Sequence, residues 1–415
     1  MIEEKVDVLI IGAGPSGCVA AAYLHKQGHT IQVVEKSKFP RFVIGESLLP
    51  RCMDHFEAVD LLDCIKEKGF EVKKGARFLK NNVVCNFDFS KKHTKGWDWT
   101  WQVPRDEFDK TLTDELQKRG VPISFEEEVT NVIFSDDGTS KTTIKNKNGQ
   151  VKNIAAKFVI DSSGYGRVLP RLLGLDKPSA LPRHASIFTH VTDLRRPPEE
   201  EGTLITFDVV TDEAWLWVIP FSNGITSLGY VGPSEFIDSY TGTPSEKLQQ
   251  MLKLSTHYYD RFKDLKFKFP PIEIKNYSKS VTQLYGKGYA LTGNSAEFLD
   301  PVFSSGVTFA TESALRAATL ASEELNNNFV DWEQDYSEYI KEGVDVFATY
   351  VKEWYTGNLQ KLFFHRPENQ EIKKQICAVL AGYVWDKSNP FVKNHHRLIK
   401  TVAHVIDLEN DDASK

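Results

Sequence analysis

The sequence has little cysteine, no long apolar run and no excess of positive charge. Its five cysteines (Cys18, Cys52, Cys64, Cys85, Cys377) are scattered, odd in number and form no C-x-x-C pair. That excludes a disulfide scaffold and predicts reduced thiols. The longest apolar stretches, such as residues 6–11, are strand-sized, so no integral membrane segment is expected. The N-terminus carries acids where a signal peptide carries basic residues, which predicts a cytoplasmic protein. A net charge of −6, with no lysine-rich run, leaves no footprint for nucleic acid or anionic lipid. Of eleven histidines only His395 and His396 are adjacent, and none shows zinc-type spacing. No metal is therefore expected, and that pair reads as surface. The segment G-E-S-L-L at 45–49 lacks the closing glycine of a nucleophile elbow, which disfavours hydrolase chemistry. Aromatic residues, in contrast, are plentiful at 12% of the 415 residues. Such side chains fill cores and line sites for planar ligands.

The clearest chemistry lies in the first 35 residues. An apolar run ends at glycine, an alanine-rich helical pattern follows, and TIQVVE reads as a second strand, giving a βαβ unit. Gly12, Gly14 and Gly17 form G-x-G-x-x-G between strand and helix, and Glu35 closes the next strand. Gly12 permits the tight turn, Gly14 lets a pyrophosphate approach the backbone, and Gly17 lets the helix pack closely. The helix N-terminus, opening at Pro15 and Ser16, offers free N–H groups to phosphate. Glu35 can accept ribose hydroxyls and repels a 2′-phosphate, which argues against NADP. No second fingerprint exists. Two other glycine turns, at Asp161–Gly164 and Gly293–Asn294, also follow apolar strands. A molecule touching three strand ends suits FAD better than NAD. Farther on, Asp300-Pro301 precedes Ser305, Gly306, Val307 and a strong helix pattern. A helix head of this kind can stabilise an anion, either a reduced flavin or a halide. Arg41 and Arg105 are candidate partners for FAD phosphate or ring oxygens.

The motifs GAGPSG (12–17), FPRFVIGESLLP (39–50), FEVKKGA (70–76), IDSSG (160–164), WLWVIP (215–220) and GNSAEFLDPVFSSGV (293–307) resemble those of the flavin-dependent halogenases. That family lies within the FAD monooxygenases and geranylgeranyl-reductase-like oxidoreductases. The resemblance covers nearly three quarters of the chain. It implies that Gly45, Glu46 and Ser47 lie along the flavin and that Lys36, Val129 and Pro301 complete the cofactor wall. It places halide at Ser305 and Gly306. It makes Lys73, in F-x-x-K-x-G, the group that relays hypohalous acid generated from reduced FAD, O2 and halide. A buried lysine has a depressed pKa, which suits the role. Lys74 beside it makes a solvated pair the plain alternative. On a strand, neighbours face opposite sides, so one lysine can turn inward. Trp215 and Trp217 match the family's W-x-W-x-I-P wall between flavin and substrate. Trp99 and Trp101 repeat that pattern and are expected to line the same cavity.

Two departures stand out. Asn294 replaces the usual aspartate, and Phe303-Ser304 replaces the Glu-Ser of tryptophan-specific members. The second points to the phenol/pyrrole branch. The expected activity is halogenation of an electron-rich aromatic, with a hydroxylating monooxygenase or a geranylgeranyl-reductase-like dehydrogenase as alternatives. The substrate is free or carrier-tethered, and electrons come from a separate flavin reductase in the absence of a nicotinamide site. The fold expected is α/β. A Rossmann-type, three-layer FAD domain (1–72, 104–183, 286–328) is interleaved with an antiparallel-sheet substrate domain (73–103, 184–285) and followed by a helical cap (329–415).

Overall fold

The computed structural model describes residues 4–198 and 200–413. The strand Glu4–Ile11 is apolar and buried from Val8 onward. It is flanked in parallel by Ile31–Val34 and by Val151–Asp161. Two short parallel strands, Ile123–Ser124 and Tyr289–Leu291, extend this sheet on either side. Register decides the site: Ile11 pairs with Asp161, and Asp161 with Leu291. The three glycine turns therefore leave the sheet side by side at its carboxyl edge, where open α/β sheets bind ligands. One face carries the helices Pro15–Lys26 and Gly306–Leu325, which approach closely through buried alanines such as Ala21, Ala317 and Ala318. The same strand Val151–Asp161 also pairs antiparallel with Ser140–Asn146, and that strand with Glu127–Phe134, so a meander branches from the sheet.

The second sheet has seven strands, in the order Ile272–Lys275, His184–Thr192, Ile225–Pro233, Trp215–Pro220, Thr206–Val209, Gly75–Lys80 and Val83–Asp88. Its neighbours run antiparallel except Thr206–Val209 and Gly75–Lys80, which run parallel. These two come from distant parts of the chain, and no hairpin constrains their direction. Alternation sorts the WLWVIP strand cleanly. Trp215, Trp217 and Ile219 face one core with the C-terminal helices, while Leu216 and Val218 face another with Leu248 and Met251. The C-terminal helices Tyr339–Tyr355, Asn358–Phe364 and Gln370–Leu380 cover the tryptophan face. Trp354 and Phe363 pack there against Phe78 and Phe87.

Residues 100–102 do not join this large sheet. Thr100–Gln102 pairs with Glu71–Lys73 as a separate ribbon and bridges to Ser47 on its other edge, and Trp101 and Val103 pack into the core of the nucleotide-type unit. Where the cap meets the first unit, Glu312 accepts hydrogen bonds from His55 (2.8 Å), Arg51 (2.8 Å) and Tyr339 (2.7 Å). Burial opposes the charge, but His55 and Arg51 hold the Glu312 carboxyl well below its ordinary range.

Candidate active site

The three glycines of the first turn have separate jobs. Gly12 has φ +99°, and a Cβ there would lie 2.5 Å from the Ser162 carbonyl oxygen. A Cβ on Gly17 would lie 1.9 Å from the Gly12 carbonyl oxygen. Both are closed by backbone. Gly14 is different: its Cβ would meet only Arg41 at 3.7 Å and Asp109 at 4.0 Å, and it would project into a cavity. That cavity, of about 470 Å³, runs along the carboxyl edge of the parallel sheet.

One end is formed by Gly14, Pro15 and Ser16 with Glu35, Lys36 and Val129. The Glu35 carboxylate accepts the Ala13 N–H (3.0 Å) and the Ser37 N–H (2.8 Å), which fixes it at the strand end. Lys36 pairs with Glu128 at the rim (2.7 Å). The middle is walled by Gly164, Gly293 and Asn294 on one side and by Gly45, Glu46 and Ser47 on the other. Where the three strand ends converge, Ser16, Ser162 and Thr292 share a hydroxyl cluster with separations of 2.7–3.2 Å. Asp161 is turned away from the cavity. Its carboxylate accepts the N–H groups of Ser163 (2.9 Å) and Leu169 (2.7 Å), so it fixes the turn and does not form the wall. Its burial raises the carboxyl above its ordinary range.

Both arginines reach the cavity because of a residue the motifs do not include. Asp109 is fully buried and accepts two hydrogen bonds from Arg105 (2.8 and 3.0 Å) and one from Arg41 (3.1 Å). Arg105 also donates to the Ile44 and Gly45 carbonyls (3.3 and 3.2 Å), tying its helix to the Gly45 loop. The R-x-x-x-D spacing at 105–109, one helical turn, was the available signal. Glu46 is buried and accepts from His190 Nε2–H at 2.6 Å, while its second carboxylate oxygen has no partner.

The far end holds Pro301, Ser304, Gly306, Val307, Trp215 and Trp217. Ser304, with φ +56°, faces the cavity, while Ser305 is buried behind it. The Trp215 indole N–H donates to the Tyr355 hydroxyl (3.1 Å), which in turn donates to Asp300 (3.2 Å). Trp217 donates to Ser227 (3.1 Å). Trp99 and Trp101 lie elsewhere. Trp101 is a core residue, and Trp99 lines a smaller cavity of about 350 Å³ beside Lys74 and Phe87. The shared W-x-W pattern does not put the two pairs together, because the ribbon at 100–102 belongs to a different sheet.

Lys73 and Lys74 part as strand geometry predicts. Lys74 is exposed, while Lys73 is only 1% exposed. The Lys73 ammonium donates to Ser47 Oγ and to the Leu48 carbonyl, both at 2.8 Å, and Ser304 Oγ donates to the same Ser47 hydroxyl at 3.1 Å. The amine therefore sits one hydroxyl behind the cavity wall. Burial without a nearby carboxylate pushes its pKa down to about 7.

The wall fits an extended dinucleotide. A helix N-terminus faces an open Gly14, a carboxylate sits at the strand end, and Glu46 offers an unsatisfied acceptor to an imide or hydroxyl donor. The FAD binding domain family matches residues 5–325. The chain belongs to that family. It is an FAD-dependent oxidoreductase, and it is similar to flavin-dependent halogenases. It is 25% identical over 392 residues to a 1H-pyrrole-2-carbonyl-(peptidyl-carrier protein) brominase of Pseudoalteromonas luteoviolacea, covering 92% of this chain and 93% of that one. It is 27% identical over 413 residues to the corresponding chlorinase of Pseudomonas fluorescens, covering 93% and 91%. A flavoprotein/dehydrogenase from Cytophaga hutchinsonii superposes with a TM-score of 0.96 at 50% identity, over 98% of this chain and 100% of that one. No helix among the described residues of this flavoprotein is long and apolar enough to cross a membrane.

Proposed function

We propose that this flavoprotein halogenates an electron-rich aromatic, using reduced FAD, O2 and halide, with Lys73 as the catalytic amine. The observation that carries the reading is the Lys73 amine itself. It is buried, poised near neutral pH, and held by Ser47, a residue of the cofactor wall. When bound, reduced FAD would give two electrons to O2, and the peroxide-level oxidant so formed would take two electrons from halide to make an electrophilic halogen. In this reading the head of the Gly306–Leu325 helix, at Ser305 and Gly306, holds the halide. Trp215 and Trp217 keep the aromatic substrate away from the cofactor cavity. Ser47 keeps the neutral Lys73 amine in reach of the oxidised halogen, which the amine then delivers to the ring. The pyrrole brominase and chlorinase act on carrier-bound substrates, and we extend to this chain a substrate that is either free or carrier-tethered. Electrons come from a separate flavin reductase, which the reading requires.

A second reading, a dehydrogenase of the same fold, rests on the description of the Cytophaga protein as a flavoprotein/dehydrogenase. One experiment separates the two. Enzyme with chemically reduced FAD is given air, chloride or bromide, and a phenol and pyrrole library, and products are read by mass spectrometry. Halogenated product that vanishes in Lys73→Ala and persists in Lys74→Ala supports the halogenase. Turnover unaffected by Lys73→Ala, with no halogen incorporated, would replace it by the dehydrogenase reading.

A further inference from the structure

Two of the helices that cap the molecule bring together a group of side chains that the flavin chemistry does not use. Asp345 lies on the helix Tyr339–Tyr355, and His395 and His396 open the helix His395–Ala413. None of the three lines the large cavity. Asp345 Oδ2 lies 3.1 Å from His395 Nε2 and 2.9 Å from His396 Nε2, and the three ligand atoms fall within 4.8 Å of one another.

The rings are oriented from behind. His395 Nδ1 is 2.6 Å from the Val392 carbonyl oxygen, which can only accept, so that nitrogen carries a proton. A neutral His395 then directs the Nε2 lone pair at the Asp345 carboxylate, another acceptor. The contact is favourable only with positive charge between them, supplied by a second proton or by a bound cation. His396 Nδ1 is 3.0 Å from Thr349 Oγ1, which leaves its Nε2 toward the same carboxylate oxygen. Metal-bound histidines are held in this way, with the other ring nitrogen on a carbonyl or hydroxyl oxygen. Ligand atoms around a tetrahedral zinc, with bonds of about 2.0–2.1 Å, are roughly 3.3–3.4 Å apart. The observed edges of 2.9 and 3.1 Å need open by only a few tenths of an ångström.

We propose that Asp345, His395 and His396 form a site for one divalent d-block cation, with its remaining coordination taken by water. Two imidazoles and a carboxylate suit zinc and its neighbours better than magnesium or calcium. His395 is the buried ligand, with 11% of its side chain exposed, while Asp345 and His396 are 56% and 65% exposed and leave an open side to solvent. Because the ligands come from two helices some 50 residues apart in the chain, the cation would clip the C-terminal helix to the helix Tyr339–Tyr355.

The test uses tag-free, FAD-loaded protein stripped with a chelator and titrated with ZnCl2 by calorimetry, with zinc content measured after dialysis. One equivalent of zinc per chain is expected, with a rise in thermal midpoint and no response to magnesium. His396→Ala changes a mostly exposed side chain, so the fold should survive, and it should weaken zinc binding by about 100-fold or more. Thr349→Val keeps all three ligand atoms and should weaken binding by about tenfold by releasing the His396 ring. Absence of saturable zinc binding, or stoichiometric binding unchanged by His396→Ala, would overturn the site and leave the cluster as an imidazolium–carboxylate pair.

Discussion

Replacing Lys73 by methionine keeps an unbranched side chain, one atom shorter, and removes its amine. The two hydrogen bonds to Ser47 and Leu48 are lost, at a cost of about 1 kcal/mol each and without pH dependence. The informative part depends on pH. In the unfolded chain the amine titrates near 10.5, while in the fold it titrates at about 7. Between those values the unfolded state binds more protons than the folded state, so wild-type stability rises with pH. The slope is at most about 1.4 kcal/mol per unit. Well below pH 7 both states are protonated and the contribution is flat. From pH 7 to 9 the wild type should gain roughly 2 kcal/mol relative to Lys73→Met, after allowing for half-titration at the start of the window. Urea midpoints of the two FAD-saturated proteins at pH 6, 7, 8 and 9 give this difference directly, because all other titrating groups are shared. The halogenation rate of the wild type should climb through the same pH range as the amine becomes neutral. Parallel stability curves across pH 7–9 would refute the argument, since they would mean an amine that titrates like one in water.

Other outcomes follow from the site geometry. Gly14→Val should fold normally but lose FAD binding by fluorescence titration, because its side chain enters the cavity and meets no backbone. Gly17→Ala should fail to give folded protein by circular dichroism, because its Cβ has the Gly12 carbonyl 1.9 Å away. Asp109→Asn takes the counter-charge from beneath Arg41 and Arg105 and should lower FAD affinity by about tenfold, the equivalent of about 1.4 kcal/mol. An unchanged affinity would remove Asp109 from the cofactor wall. Tyr355→Phe leaves the Trp215 indole N–H buried without an acceptor and should cost about 1–3 kcal/mol in denaturant unfolding. A neutral result would mean that water replaces the lost hydroxyl.

What could be read from the sequence was whatever is written in short-range spacing. The roles of Gly12, Gly14 and Gly17 follow from a turn between one strand and one helix. The inward turn of Lys73 and the outward turn of Lys74 follow from a two-residue period. Trp215 and Trp217 share a face for the same reason. The misjudged residues depend on partners that no strand or helix period names. Trp101 has the same local pattern as Trp217, but its strand pairs with Glu71–Lys73 and turns its indole into another core. Asp161 closes a nucleotide-type strand as expected, yet the N–H groups of Ser163 and Leu169 capture its carboxylate. Asp109 was legible as the i, i+4 partner of Arg105 but not as the partner of Arg41, and Tyr355 and the Asp345 cluster join segments that no local period connects.

The Lys73 amine gives its hydrogen bonds to Ser47 and Leu48, while the Phe89 ring of the second sheet's aromatic core lies 5.5 Å away. Amine and cofactor wall therefore share one frame of reference, set by two bonds of 2.8 Å within a single loop. The aromatic packing of Phe78, Phe87 and Phe363 belongs to another. Changes in that packing can reshape what lies beyond the amine while leaving its spacing from the cofactor wall intact. A chain built this way can drift in the molecules it accepts and still inherit one unaltered reaction.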